Sequence, residues 1–528
     1  MSRHQLSWEK LLAPTRRRSS ARTPQEERPE TDNSDSNLPN LKDRRTEFEK
    51  DYHRVILSAS FRRLQDKTQV FPLDQSDFIR TRLTHSIEVS SLAKSLGQSA
   101  MLRLAREGGP YAPTAAQQQQ IADILLCTGL LHDIGNPPFG HYGETTIRDW
   151  FRKHLPVLQL NGAPLNRVLN PVMQADLEHY EGNAQALRLL SKLHYVVDEY
   201  GMNLTFATLN TLIKYPVSSV EIDAESGILE HKKMGYLLAE KDLFEEITRA
   251  TGTGWYVYGK RGEVTAEDAE EPGKERQLRL DFGEPRFVTC RHPLTYLLEA
   301  ADDISYRTAD IEDAYRKDML TYGQIKEGIT SRTDLEDYPP EVQTQYLELC
   351  NKLDELTAVS EQKGLHRSEQ YSIQNWLIHI QSALVRDVTE TFVSNIDAIM
   401  HGEFHGDLFE GQLAGLILNS LGDLAYEYVF NSRMIVSLEV AADAVIGGLL
   451  DKFVPACINY DTDLPLSPVE SRIMSLVSDN YRHSYHFHAE GKDDAWRLYL
   501  RILLITDYIC GMTDSYAKDL FHKLNGFT

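Results

Sequence analysis

Apolar residues recur at helical spacing along most of the chain, whereas strand-like alternation is scarce and no repeat of solenoid period is visible. The clearest stretch, Ile121, Ile124, Leu125, Leu126, Leu130 and Leu131, predicts a buried helix. Gly135 and the Pro137-Pro138 pair stop it abruptly. From Arg44 onward Val55, Ile56, Phe61 and Leu64 begin a core, and Leu83, Ile87, Ser90, Ser91 and Lys94 outline a helix with one apolar and one polar side. Amphipathic stretches return at Leu347–Leu353, Ile373–Val385, Leu413–Tyr426, Val440–Phe453 and Trp496–Ala517. The pattern predicts an all-α protein. Its expected parts are a mobile tail over residues 1–43, a core over 44–325 and a helical region over 326–528 packed on that core. Residues 251–285 read as an irregular insertion with a short hairpin around Trp255–Tyr258.

Composition narrows the setting. A chain of 528 residues can bury a large core, and its formal charge of −22 argues against nonspecific DNA binding as the main task, though not against a local basic groove. The five cysteines are scattered and never form a C-x-x-C pair, which indicates a reducing compartment without a cysteine zinc site. No signal-peptide pattern and no apolar run of membrane-spanning length occur, so the expected location is the cytoplasm. Arg16-Arg17-Arg18 reads as a solvated charge run.

The chemistry centres on His132-Asp133 at the end of the buried helix. An unpaired carboxylate there is costly, and a cation shared with the imidazole resolves the cost. Taken alone, such a pair is more often a cap or a core hydrogen bond. Two other stretches can complete a site: Arg82 and His85, three apart on one helix face, and Asp302, Tyr306 and Asp310, which repeat every four residues as one polar stripe. That stripe is equally compatible with a structural network. His85, His132, Asp133 and Asp302 together form a mixed N/O set suited to Mn, Mg, Fe, Co or Zn. His401 and His405 lack an intervening base, and His483, His486 and His488 lack companion ligands, so that cluster is expected in a surface or interface loop.

The order His … His-Asp … Asp resembles the HD metal-dependent phosphohydrolase superfamily. Longer motifs are similar to bacterial deoxyguanosine triphosphate triphosphohydrolases: FRRLQDKTQVFP (61–72), RTRLTHS (80–86), HDIGNPPFGH (132–141), HYEGNAQ (179–185), NLT (203–205), IKY (213–215), EAADDISY (299–306) and GMTD (511–514). The resemblance runs from about residue 44 to the end. It implies hydrolysis of dGTP to deoxyguanosine and inorganic triphosphate with one divalent metal per site, Mn or Mg first. Arg82 and Lys214 would offset triphosphate charge, and His141 with Glu144 would be the catalytic pair. Gln69 and Val70 would lie against the base, Tyr306 and Asp310 near the sugar, and Asn183 and Tyr215 in the pocket. Glu439 and Arg472 match positions near the substrate or a subunit boundary. In this family reading Tyr306 and Asp310 fix the direction of the pocket. Asp302 rather than Asp303 is then the fourth ligand, and Asp303 lines up with Glu299 near Arg307, a setting for a salt bridge that either supports the ligands from behind or is purely structural. The resemblance also implies a homohexamer, with single-stranded nucleic acid as a candidate regulator. Competing readings are an HD phosphohydrolase acting on a broader dNTP pool, a nucleoside monophosphate or a signalling nucleotide, and a catalytically idle nucleotide sensor or nucleic-acid-binding regulator.

Overall fold

A computed structural model describes residues 4–18, 43–71, 73, 76, 78–194, 199–259, 264–265, 279 and 283–527. The elements that build the site are, in chain order, α1 (Trp8–Leu11), α2 (Glu47–Ile56), α3 (Arg82–Glu107), α4 (Ala115–Leu131), α5 (His141–His154), α6 (Gly182–Arg188) and α7 (Phe206–Leu212). They continue with α8 (Pro293–Arg316), α9 (Ser368–Ser394), α10 (Leu413–Ala425), α11 (Arg433–Ile458), α12 (Asp479–Ala489), α13 (Asp494–Cys510) and α14 (Asp514–Leu524). Strands are confined to β1 (Gln159–Leu160) with β2 (Ala163–Pro164), and to an antiparallel sheet ordered β4 (Val264–Thr265), β3 (Gly254–Tyr258), β5 (Arg286–Thr289). The protein is all-α, as its periodicity predicts. This small sheet occupies the expected insertion, most of whose middle lies outside the described residues.

Local sequence explains where the central helices begin and end. Capping boxes open α3 at Thr81, with Thr84, and α4 at Thr114, with Gln117. Gly108, at φ 75°, closes α3 in a conformation that favours glycine. These two helices press closely together: a Cβ at Gly129 would collide with the Ser90 backbone, and one at Gly97 with Leu125. That approach selects small residues, so the buried face of α3 runs through His85, Ser86, Val89, Ser90, Ala93 and Gly97. The apolar side read from Leu83 and Ile87 is thus displaced, and Ile87 is 52% exposed.

The expected tail over 1–43 is corrected for residues 4–18. Leu6, Trp8, Leu11 and Leu12 are buried, and Trp8 Nε1 donates to Tyr111 O (2.9 Å). Arg16 is not solvated: it donates to Asp51 Oδ1 (2.5 Å), Asn203 O (2.6 Å) and Glu47 Oε2 (2.9 Å). The buried Asp51 carboxylate requires such a cation, and a run of arginines read alone does not reveal it. Residues 1–3 and 19–42 of the expected tail lie outside the described residues.

Apolar side chains gather in two cores that cut across chain order. One joins Leu131, Phe151 and Phe206 to Phe453, Ile502 and Ile505; the other joins Leu11, Val89 and Leu297 to Ile325, Leu384 and Leu416. The division expected at 325/326 falls within the second core, where Leu320, Ile325, Ile329 and Leu353 pack together. His483, His486 and His488 lie on helix α12 rather than in a loop. No described helix is long and apolar enough to cross a membrane.

Candidate active site

A cavity of about 590 Å³ opens between α3, the turn after α4, α6 and α8. Gln69, Val70, Arg82, Asp133, His141, Asn183, Lys214, Tyr215, Asp302, Tyr306 and Asp310 all line it, while His85, His132 and Glu144 are buried beside it. Residues as far apart as 69 and 310 thus converge on one space.

Around Asp302 and Asp133 the groups are charged and interlocked. His85 Nε2 lies 3.1 Å from Asp302 Oδ1, and His132 Nε2 lies 3.3 Å from the same oxygen and 3.5 Å from Asp133 Oδ2. Donor atoms of His85, His132 and Asp302 fall within 4.8 Å of one another. Asp133 is more engaged: Arg82 donates to Oδ2, and Asn136 Nδ2 donates to Oδ1 (2.6 Å). Lys214 Nζ donates to Asp302 Oδ2 (3.1 Å). Burial opposes charge on His132, yet Asp133 and Asp302 push its pKa up to about 10. Burial likewise opposes ionisation of Asp302, but His132 and Lys214 hold it well below the usual carboxylate range. The field therefore demands positive charge at this spot.

The donor set fits a divalent cation. His132 Nδ1 lies 2.8 Å from Gly129 O, which assigns a proton to Nδ1 and leaves Nε2 facing the cluster, where a bound cation would take the place of the proton that the carboxylates favour. Two imidazoles and two carboxylates are hard-to-borderline ligands that suit Mn, Mg, Fe, Co or Zn.

Next to this cluster the chain makes two left-handed residues, Phe139 (φ 63°) and Gly140 (φ 60°), before entering α5. The positive φ favours glycine at 140, and a Cβ there would also displace the Arg82 guanidinium. The turn delivers His141 to the start of α5 with 77% of its side chain exposed. Its Nδ1 lies 3.1 Å from Glu144 Oε2, and Glu144 Oε1 accepts from the Gly182 N–H (2.9 Å). Glu144 is buried, which works against its charge, but His141, Lys233 and the Gly182 amide hold its pKa below the usual range. A Cβ at Gly182 would strike both Glu144 and Asn136, so this glycine permits the contact.

Tyr306 and Asp310 follow Asp302 on the cavity face of α8. Among the described residues Asp310 Oδ2 and Gln69 Oε1 are buried without a hydrogen bond. Burial and the nearby Asp313 push the Asp310 carboxyl up to about 8. The salt bridge expected for Asp303 is not found: Arg307 donates to Leu418 O (2.8 Å) and stacks on Tyr306 at 5.4 Å. Asp303 borders the cavity instead, where burial, Asp302 and Glu299 push it up to about 7.

Two expected residues lie away from the cavity. Glu439 is half-buried on α11 beside the Tyr142 hydroxyl, and Arg472 is exposed on the helix Pro468–Leu476. Several lining residues escaped sequence reasoning, among them Asn136, Glu181, Lys232, Lys233, Tyr296 and Phe409. Asn136 and Glu181 sit within motifs already singled out, and the Lys232-Lys233 doublet was a visible charge signal; Phe409 had none.

Comparison with known proteins agrees with this geometry. Residues 82–158 match the HD domain family, a span that contains Arg82, His85, His132, Asp133, His141 and Glu144. The deoxyguanosinetriphosphate triphosphohydrolase-like protein of Listeria monocytogenes is 41% identical over 99% of this chain and 100% of its own length. A protein of the same description from Synechocystis sp. is 31% identical over 92% of this chain and 94% of its own length. The deoxyguanosinetriphosphate triphosphohydrolase of Serratia proteamaculans is 30% identical over 90% of this chain and 93% of its own length. With identity spread over the whole length and the HD segment seated on the histidine–aspartate cluster, the chain belongs to the deoxyguanosinetriphosphate triphosphohydrolase-like family of HD-domain phosphohydrolases.

Proposed function

We propose that this protein hydrolyses dGTP to deoxyguanosine and inorganic triphosphate at a single-metal site. The observation that carries the reading is the make-up of the cavity lining. Arg82, Lys214, Lys232 and Lys233 share it with Asp133 and Asp302 of the histidine–aspartate cluster, Tyr306 and Asp310 follow one and two turns along α8, and Gln69 and His141 complete the set. A triphosphate matches the cationic groups and the cluster, and a nucleoside matches Gln69, Tyr306 and Asp310.

His85, His132, Asp133 and Asp302 would hold the divalent metal, Mn or Mg, which supplies a Lewis acid at the α-phosphate. Arg82 and Lys214 then serve the phosphate oxygens, Arg by its planar fork and Lys as a point charge. Glu144 accepts from His141 Nδ1 and so directs Nε2 toward the cavity, where it moves a proton at the scissile P–O5′ bond. Tyr306 packs where a ribose 2′-hydroxyl would project, and Asp310 can donate or accept at the sugar. Asn183 and Tyr215 complete the wall, with Gln69 and Val70 against the base. On the same family reading the assembly is a homohexamer in the cytoplasm. Glu439, which bonds the neighbour of His141, and Arg472 would lie near a subunit boundary, and single-stranded nucleic acid is the regulator to test.

The deciding experiment is chromatography of the products from each dNTP and NTP with Mn or Mg present. The expected result is deoxyguanosine and inorganic triphosphate from dGTP in preference to other nucleotides. Orthophosphate or pyrophosphate as product overturns the reading.

A further inference from the structure

Three stretches far apart in the chain meet behind the cavity. Lys67 and Thr68 come just before Gln69 and Val70; Asn136–Phe139 lead from Asp133 toward His141; Cys510–Asp514 join α13 to α14. The buried Lys67 Nζ donates to Asn136 O (2.6 Å) and to Cys510 O (2.7 Å). Asp514, only 2% exposed, divides its two oxygens between the other stretches. Oδ1 accepts from the Phe139 N–H (2.9 Å), and Oδ2 accepts from the Thr68 N–H (2.9 Å) and the Thr68 hydroxyl. Neither Lys67 nor Asp514 is among the residues that line the cavity.

The residues that Asp514 grips are the sensitive ones. Phe139 has φ 63°, a left-handed conformation that a bulky side chain keeps only when its surroundings hold it. It stands two residues before His141. Thr68 stands one residue before Gln69 and bridges to Thr81, while Lys67 O accepts from the Arg82 N–H (3.1 Å). One carboxylate from the end of the chain therefore ties the Gln69-Val70 strip and the start of α3 to the turn that presents His141.

We infer that Asp514 is a positioning residue that sets the spacing between the Gln69-Val70 strip and the His141-Glu144 pair, so that the base is read in the rate of the chemical step as well as in binding. The inference rests on the function proposed above for those four residues. A structural staple alone would lower stability and leave the folded, metal-loaded protein with unchanged kinetics.

The test is Asp514→Asn, which presents one carbonyl oxygen and one N–H₂ group, so that either Thr68 or Phe139 meets a donor in place of an acceptor. With metal content equal to the parent, kcat for dGTP should fall roughly 10- to 100-fold, the scale of a small misplacement far from the chemistry, and KM should change less. The ratio of kcat/KM for dGTP over dATP should fall as well. Amide exchange should accelerate both near residue 68 and near residue 139. Thr68→Val, which removes only the hydroxyl bond, should move the same ratio by a smaller factor and serves if Asp514→Asn does not fold. Parental kcat and parental base discrimination in folded, metal-loaded variants overturn the inference, as does unchanged exchange at either stretch. If the parent turns over another deoxynucleotide instead of dGTP, the substrate reading fails. The same ratio for that nucleotide and its base analogue, together with the exchange, then decides the role of Asp514.

Discussion

Asp302 is surrounded by His85, His132 and Lys214, and Asp133 by Arg82 and Asn136, all through contacts of 3.5 Å or less. Two turns further along α8, Asp310 Oδ2 is buried without a hydrogen bond among the described residues, as is Gln69 Oε1, and burial with Asp313 pushes the Asp310 carboxyl up to about 8. The difference follows from what each group can tolerate. Ionised carboxylates cannot be buried without cations, so Asp302 and Asp133 sit among charged partners. A protonated carboxyl and an amide lose less on burial, so Asp310 and Gln69 can keep atoms in reserve for a ligand that supplies their partners.

The sharpest way to break this contrast is at the proposed metal ligands. His132→Ala or Asp302→Asn should empty the site and abolish turnover, while Asp303→Asn should keep metal at least partly bound. Metal analysis of the purified variants decides it, and a filled site in Asp302→Asn with an empty one in Asp303→Asn would reverse the orientation of α8 toward the cation.

His141→Ala should lower kcat by roughly 10²- to 10⁴-fold, the usual span for a general acid–base group, with metal content preserved. Glu144→Gln should show a smaller loss, because the Gln can still accept from Gly182. Metal loss in His141→Ala would move that residue from the catalytic pair into the ligand set.

For Tyr306, proposed to meet the sugar, the expected change is in selectivity. Tyr306→Ala should improve GTP turnover relative to dGTP by roughly tenfold, the order of a steric contact in a pocket. Competition assays with both nucleotides measure it, and undiminished rejection of GTP would place the sugar gate elsewhere.

The smallest effect probes the charge on Asp310. Asp310 goes from an ordinary value of 3.8 to about 8 in the fold, so the folded state holds the extra proton between those values. Its contribution to stability therefore falls as pH rises through that window. Asp310→Asn, which has no proton to lose, should gain thermal stability relative to the parent as pH rises from about 5 to about 8. A difference in melting temperature independent of pH would mean that Asp310 is ionised in the fold.

The sequence by itself determined the helical class, the stop after His132-Asp133, and the shared faces of Arg82 with His85 and of Asp302 with Tyr306 and Asp310. These are local properties: helical spacing, capping residues and the glycine and proline breaks act within a few residues. Family resemblance added His141, Glu144, Lys214 and the pocket residues, because long motifs carry positions that periodicity alone does not. Tertiary structure decided the rest. Ile87 faces solvent because Gly129 lets Ser90 take the interface. Arg16 is buried because Asp51 needs a cation. Arg307 turns to Leu418 and leaves Asp303 on the cavity. Asp514 reaches Phe139 across 375 residues of chain. Each of these outcomes depends on which surfaces meet, and no pattern confined to one helix or one loop contains that information.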